Sequence, residues 1–129
     1  MNPVIDHSQS QELKIISGII DENSTICDLV LQDLQKGRNA IHKKGANGMS
    51  ADQVLRFAIV KVLFGYSYQD LAFHTVDSKI LSWFCRIGFG DKGFKKSALN
   101  KNIKAISATT WESINMGLLG YVDSDVPIH

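Results

Sequence analysis

Five lysines crowd into the segment Lys92-Gly-Phe-Lys-Lys-Ser-Ala-Leu-Asn-Lys-Asn-Ile-Lys104, and no acid stands between Lys92 and Trp111. Ammonium groups at this density answer phosphate charge, and asparagine amides can pair with base edges, so the chemistry on offer is recognition of DNA. Ser97 reads as the N-cap of a helix, its hydroxyl accepting from a free backbone N–H of the first turn. A helix starting there puts Leu99, Ile103 and Ile106 on one face, and Ser97, Lys101 and Lys104 on another, with Asn100 on the flank. Lys92, Lys95, Lys96, Ser97, Asn100, Lys101 and Lys104 therefore form the candidate DNA-binding set. Lys95, Lys96, Lys101 and Lys104 are expected on phosphates. Asn100 is expected on an adenine edge, as is Asn102, which lies nearer the apolar face. The plain alternative is a solvated lysine face on an ordinary surface helix.

Such a helix needs a scaffold, and the rest of the chain reads as helical. Residues 10–20 place Leu13, Ile16, Ile19 and Ile20 at helical spacing, and residues 24–44 repeat the pattern with Ile26, Leu29, Val30, Leu34 and Ile41, weakened at Gly37. Gly45-Ala-Asn-Gly48 breaks it. Ser50-Ala-Asp-Gln53 has the form of a capping box and opens the strongest helix, which carries Val54, Leu55, Ala58, Ile59, Val62 and Leu63 and ends at Gly65. Ser67 caps the next helix, Ser78–Cys85 is a short apolar segment, and Thr109 caps a last helix that runs to about Leu119. The expected core is Leu55, Ala58, Ile59, Val62, Leu71, Trp83, Leu99, Ile103 and Ile106. The helix at Ser67–Thr75, with the small residue Ala72, would brace the one at Ser97–Ile106, as the first helix of a helix-turn-helix braces the second. The fold class expected is all-α, a small multi-helix bundle containing an expanded helix-turn-helix-like unit. Its parts are 1–48, acidic helices and a linker; 49–120, the DNA-binding domain; and 121–129, a tail.

Charge is segregated, although the formal net charge of this 129-residue chain is only +1. Residues 1–33 hold Asp6, Glu12, Asp21, Glu22, Asp28 and Asp33 against Lys14 alone, whereas most of the lysines and arginines lie in 34–111. A basic middle between acidic ends is a local footprint for nucleic acid. Other classes recede. No apolar run approaches a membrane span, and the start lacks the pattern of a signal peptide. Cys27 and Cys85 have no C-x-x-C spacing, and the histidines are scattered, so neither a disulfide framework nor a metal site is expected. Gly88-Phe-Gly-Asp-Lys-Gly93 matches G-x-G-x-x-G, yet no second parallel strand accompanies it to make a βαβ unit, so the reading is a loop that presents the basic helix.

The run Met49-Ser-Ala-Asp-Gln-Val-Leu-Arg-Phe-Ala-Ile-Val-Lys-Val-Leu-Phe-Gly-Tyr-Ser-Tyr-Gln-Asp-Leu-Ala72, followed by Trp83-Phe-Cys-Arg-Ile-Gly88 and Lys96-Ser-Ala-Leu-Asn-Lys-Asn-Ile-Lys104, resembles the N-terminal domain of DDE transposases from bacterial insertion sequences. The resemblance covers Met49–Leu119 and departs from the family at Phe94-Lys95, where many members carry proline. It implies a helical domain that binds double-stranded DNA at transposon ends and can dimerise, ahead of an RNase-H-like domain whose three carboxylates hold two metal ions. Asp123 in the tail would match the first of these carboxylates. The expectation is a truncated transposase with no catalysis and no cofactor of its own, cytoplasmic, with no membrane and no small-molecule partner. A helical protein-interaction module contacting partners through its acidic N-terminal third is the alternative. A truncated product competing for transposon ends as an inhibitor is a further option.

Overall fold

Capping chemistry sets where most of the helices begin. In the computed structural model, which describes residues 5–36 and 48–119, α1 (His7–Glu22) is opened by Asp6, whose carboxylate accepts from the Gln9 amide while the Gln9 side chain accepts from the Asp6 amide. Ser50 and Gln53 make the same reciprocal pair at the start of α3 (Ala51–Phe64). Ser67 caps α4 (Tyr68–Asp77), and Ser78 caps the six-residue α5 (Lys79–Phe84). Gly65 ends α3 in the left-handed conformation, at φ +67, where a residue without a Cβ is favoured. The fold is thus all-α, with α2 (Thr25–Gln35), α6 (Lys96–Lys104), α7 (Ala108–Ile114) and a π-helical turn, Asn115–Leu119, completing the bundle.

α3 is the axis of the molecule. Eight of its residues, Ala51 and the unbroken run Val54–Val60, are buried, so the helix is covered nearly all round. Its neighbours are α2, α4 and α6. α1 packs on α5 and on the π-helical turn, and α2 packs on α7. One apolar cluster joins Leu13, Ile16 and Val30 to Leu55, Ile59, Leu71, Leu99, Ile114 and Leu118, and so spans both sides of residue 48.

Several expectations need correction. Val62 is 53% and Trp83 47% exposed, so neither belongs to the core. Val62 lies in the last turn of α3, past the buried run that ends at Val60, and the short α5 fully buries Leu81 and Phe84 while Trp83 turns outward. Ser97 does not cap α6. The helix begins at Lys96, because the extended Lys95 already accepts from the Leu99 amide through its carbonyl, and no side chain caps it. The last helix is capped by Ser107, not Thr109, since the Ser107 hydroxyl accepts from the Thr110 amide. α2 ends at Gln35, and the expected continuation through Ile41 and the break at Gly45 lie outside the described residues. The remaining seven core positions, including Leu55, Ala58 and Ile59, are buried as expected.

Candidate nucleic-acid interface

The basic helix is held from behind. Ala98, Leu99, Asn102 and Ile103 are buried on the inner face of α6, and Ile106 is buried just beyond it. α6 lies against both α3 and α4, so the bracing contact expected of α4 is present. Asn102 is 1% exposed, and its Nδ2 donates to the Ala98 carbonyl at 3.0 Å and to Met49 Sδ at 3.3 Å. That overturns Asn102 as a reader of base edges: its amide is used to tie α6 to the residue before the α3 cap.

Most of the expected set lies open to solvent. Lys96, Ser97, Lys101 and Lys104 are exposed on α6, and Lys92 and Lys95 are exposed in the segment that enters it. Among the described residues no ion pair holds any of these lysines. Asn100 is half-buried, and its Oδ1 is buried without a partner among the described residues. It lines an open cleft of about 400 Å³ with Lys96, Ser97 and the α4 start at Ser67–Gln69. A buried amide oxygen lacking a donor is costly, so this side chain is placed at some expense beside the junction of the two helices.

The entering segment is anchored rather than loose. Phe94 meets Phe57 of α3 edge-to-face, with ring centroids 5.8 Å apart. Gly93 sits at φ +76, and a Cβ there would come within 2.6 Å of Val76 Cγ2. Both facts demand glycine. The stretch where a dinucleotide-binding strand would have ended is α5, a helix, so the glycine pattern marks a loop, as expected.

Not all of the basic middle faces outward, which sequence reasoning missed. Arg56 is fully buried. Its Nε donates to Asp52 at 2.8 Å, its Nη1 to Ser17 Oγ at 2.8 Å and the Phe84 carbonyl at 3.1 Å, and its Nη2 to Asp21 at 3.0 Å. The guanidinium also lies over the Phe84 ring, 5.2 Å from its centroid. Arg86 joins the network through Asp21 at 2.8 Å and Asp52 at 3.5 Å. Arg86 takes φ +59, unusual for a residue with a side chain. That conformation is over-determined by the two carboxylates and by Gln53, which donates to the Arg86 carbonyl at 3.1 Å. Two cations and two acids are therefore consumed in fastening α1, α3 and α5 together. The Asp52–Arg56 pair was readable from its i, i+4 spacing, but Asp21 was not.

The thiols are packing groups. Burial, reinforced by the Asp52 carboxylate, pushes the Cys27 thiol up to about 11, and burial pushes Cys85 up as well. Neither is a nucleophile at neutral pH. No group of three or more His, Cys, Asp or Glu side chains among the described residues could hold a metal ion. Asp123 lies outside the described residues. No described helix is long and apolar enough to cross a membrane.

The return of the chain after α6 is fixed by Asp33 of α2, which is buried and accepts from the Ser107 amide at 2.9 Å, with Lys36 Nζ at 3.4 Å. Burial alone would raise this carboxyl. Hydrogen bonds from the Ser107 amide and from the Thr110 and Ser107 hydroxyls, with Lys36, overcome it and hold the pKa below the usual value. A depressed carboxyl stabilises the fold above its unfolded pKa and loses that contribution as pH falls through the folded one. Asp33→Asn should cost about 1.5–3 kcal/mol at pH 7, the range for a hydrogen bond to a charged group. The gap to the parent should close below about pH 4. Denaturation across pH 3–7 checks this, and a gap that stays constant with pH would contradict it.

A family model described as a transposase domain (DUF772) matches residues 4–105. No curated protein and no solved structure matches the chain.

Proposed function

We propose, from the premise that this chain belongs to the transposase domain family (DUF772), that it serves transposition by holding double-stranded DNA at transposon ends on the outer face of α6. The observation that carries the reading is one helix whose inner face is buried while its outer face and entry present Lys92, Lys95, Lys96, Lys101 and Lys104 without ion pairs among the described residues. Lysines free of acids keep their whole charge for phosphate. Ser97 and Asn100 stand among them at the α4–α6 junction, where the half-buried amide of Asn100 is the candidate for an adenine edge. The role assigned to these residues is recognition, and it includes no strand cleavage.

The test is the salt dependence of binding. If three to five lysines neutralise phosphates, log K should fall against log salt with a slope of about −3 to −5. Fluorescence anisotropy with a random duplex and with a duplex from a transposon end would measure it. A flat response, or no binding at about 50 mM salt, would sink the proposal.

A further inference from the structure

We infer that Trp83 and Phe89 form a stacking seat for an unpaired nucleobase of the DNA that α6 holds, an inference that rests on the DNA-binding reading above. Three open clefts adjoin one another along the segment from α5 to α6. The first, about 600 Å³, is lined by Val76, Lys79, Trp83, Phe89 and Asp91. It shares Ile87 and Asp91 with a second of about 240 Å³, which also reaches Lys92 and Phe94. The second shares Gly93 and Phe94 with a third of about 480 Å³, which reaches Lys95 and Ser97 at the start of α6. One track thus runs from an aromatic end to the basic helix.

The rings at the aromatic end are largely left open to water. Phe89 is fully exposed at 109%, between Gly88 and Gly90, in a turn closed by the Gly88 amide donating to Asp91. Trp83 and Val76 in the same cleft are about half exposed. Rings presented to water beside a track of lysines are the parts of a nucleic-acid stacking platform: cations follow the backbone, and aromatic faces take bases. Lys79, Lys92 and Lys95 supply the cations along the track. Asp91 is the one acid lining the aromatic cleft, and its charge keeps phosphate away from the turn, which leaves the uncharged base as the part that fits there. A base inside a duplex has both faces covered by its neighbours. The ligand is therefore a base freed at a frayed end, in a single strand or by extrusion, the deformation for which apolar wedges are used elsewhere.

The full chain would be titrated with a fully paired duplex and with the same duplex carrying a short unpaired end. The parent should prefer the frayed duplex by roughly 5- to 150-fold, the range for stacking one base. Phe89→Ala should remove that preference and leave binding to the paired duplex unchanged. Because Phe89 touches nothing in the core, the variant will fold, and Phe89→Tyr should restore the preference. In a Trp111→Phe background, Trp83 emission should be quenched by the frayed duplex only. Equal affinity of the parent for both duplexes, or an unaltered preference in Phe89→Ala, would overturn the stacking seat while leaving the lysine face intact. Failure to bind even the paired duplex at low salt would instead remove the reading beneath it. Loss of self-association in Phe89→Ala, seen by sedimentation without any change toward either duplex, would assign the cleft to a second copy of the chain and overturn the inference.

Discussion

Arg56→Met should lower stability by about 2–6 kcal/mol, chiefly through the two buried acceptors it would orphan, since Asp21 and Asp52 are themselves partly exposed. Methionine comes close to the volume and keeps the apolar stem, so the loss reports the guanidinium. Its removal leaves the Phe84 carbonyl and the Ser17 hydroxyl without the donor that Nη1 supplies to both. Each orphaned buried group costs about 1–3 kcal/mol. It also deprives Asp21 and Asp52 of their inner partner, although Arg86 remains beside them. Arg56→Lys should recover only part of the loss, because one ammonium cannot span the four acceptors that the planar fork reaches together. Urea denaturation would read this as a lower midpoint with the slope retained. A loss under about 1 kcal/mol in Arg56→Met would mean that the network adds little to the packing of α1 and α5 on α3. The test addresses the scaffold, since the hydrogen-bond partners of Arg56 lie on α1, α3 and α5 and none on α6.

The second large effect concerns that face. Replacing Lys95, Lys96, Lys101 and Lys104 together by glutamine should flatten the dependence of log K on log salt by about 3–4, close to 0.9 for each phosphate no longer neutralised. At about 0.1 M salt the same relation predicts that affinity falls about a thousandfold or more. All four side chains are exposed and none holds an ion pair among the described residues, so the fold should be untouched. An unchanged circular dichroism spectrum and unfolding midpoint would confirm that. The Asn100→Ala variant serves as the contrast: it should keep the salt slope and relax sequence preference, because base contacts specify while phosphate contacts position. Retention of parental affinity by the fourfold lysine variant would move the interface away from α6 altogether.

Most of the secondary structure was legible because its signals act over a few residues. The Ser50–Gln53 box, the Ser67 cap and the Gly65 stop are each complete within one turn, and each stands where its spacing placed it. Misplacements occurred where two local signals competed. Ser107 and Thr109 are both acceptable caps, and Ser107 prevails because its amide is also held by Asp33, 74 residues away. Ser97 is a good cap by type, but Lys95 takes the extended conformation with Phe94 packed on Phe57 just before it, and the helix starts at Lys96 instead. Periodicity reads burial well for the seven core positions that are buried and badly for Val62 and Trp83. Helical period tells which residues share a face, not whether another helix covers that face.

The chain by itself therefore determined an all-α fold, the order and approximate bounds of its helices, and the run of lysines on a helix with an apolar back. Composition and periodicity suffice for these, since each depends on neighbours three or four residues apart. The tertiary structure alone decided which cations are free. Arg56 and Arg86 meet Asp21 across 35 and 65 residues and are neutralised there, while the five lysines of the segment Lys92–Lys104 meet no described acid. It also turned Asn102 inward, left Phe89 in water and left Trp83 about half exposed. Contacts between segments far apart in the chain leave no periodic trace in it, because they arise only when several helices close around one core.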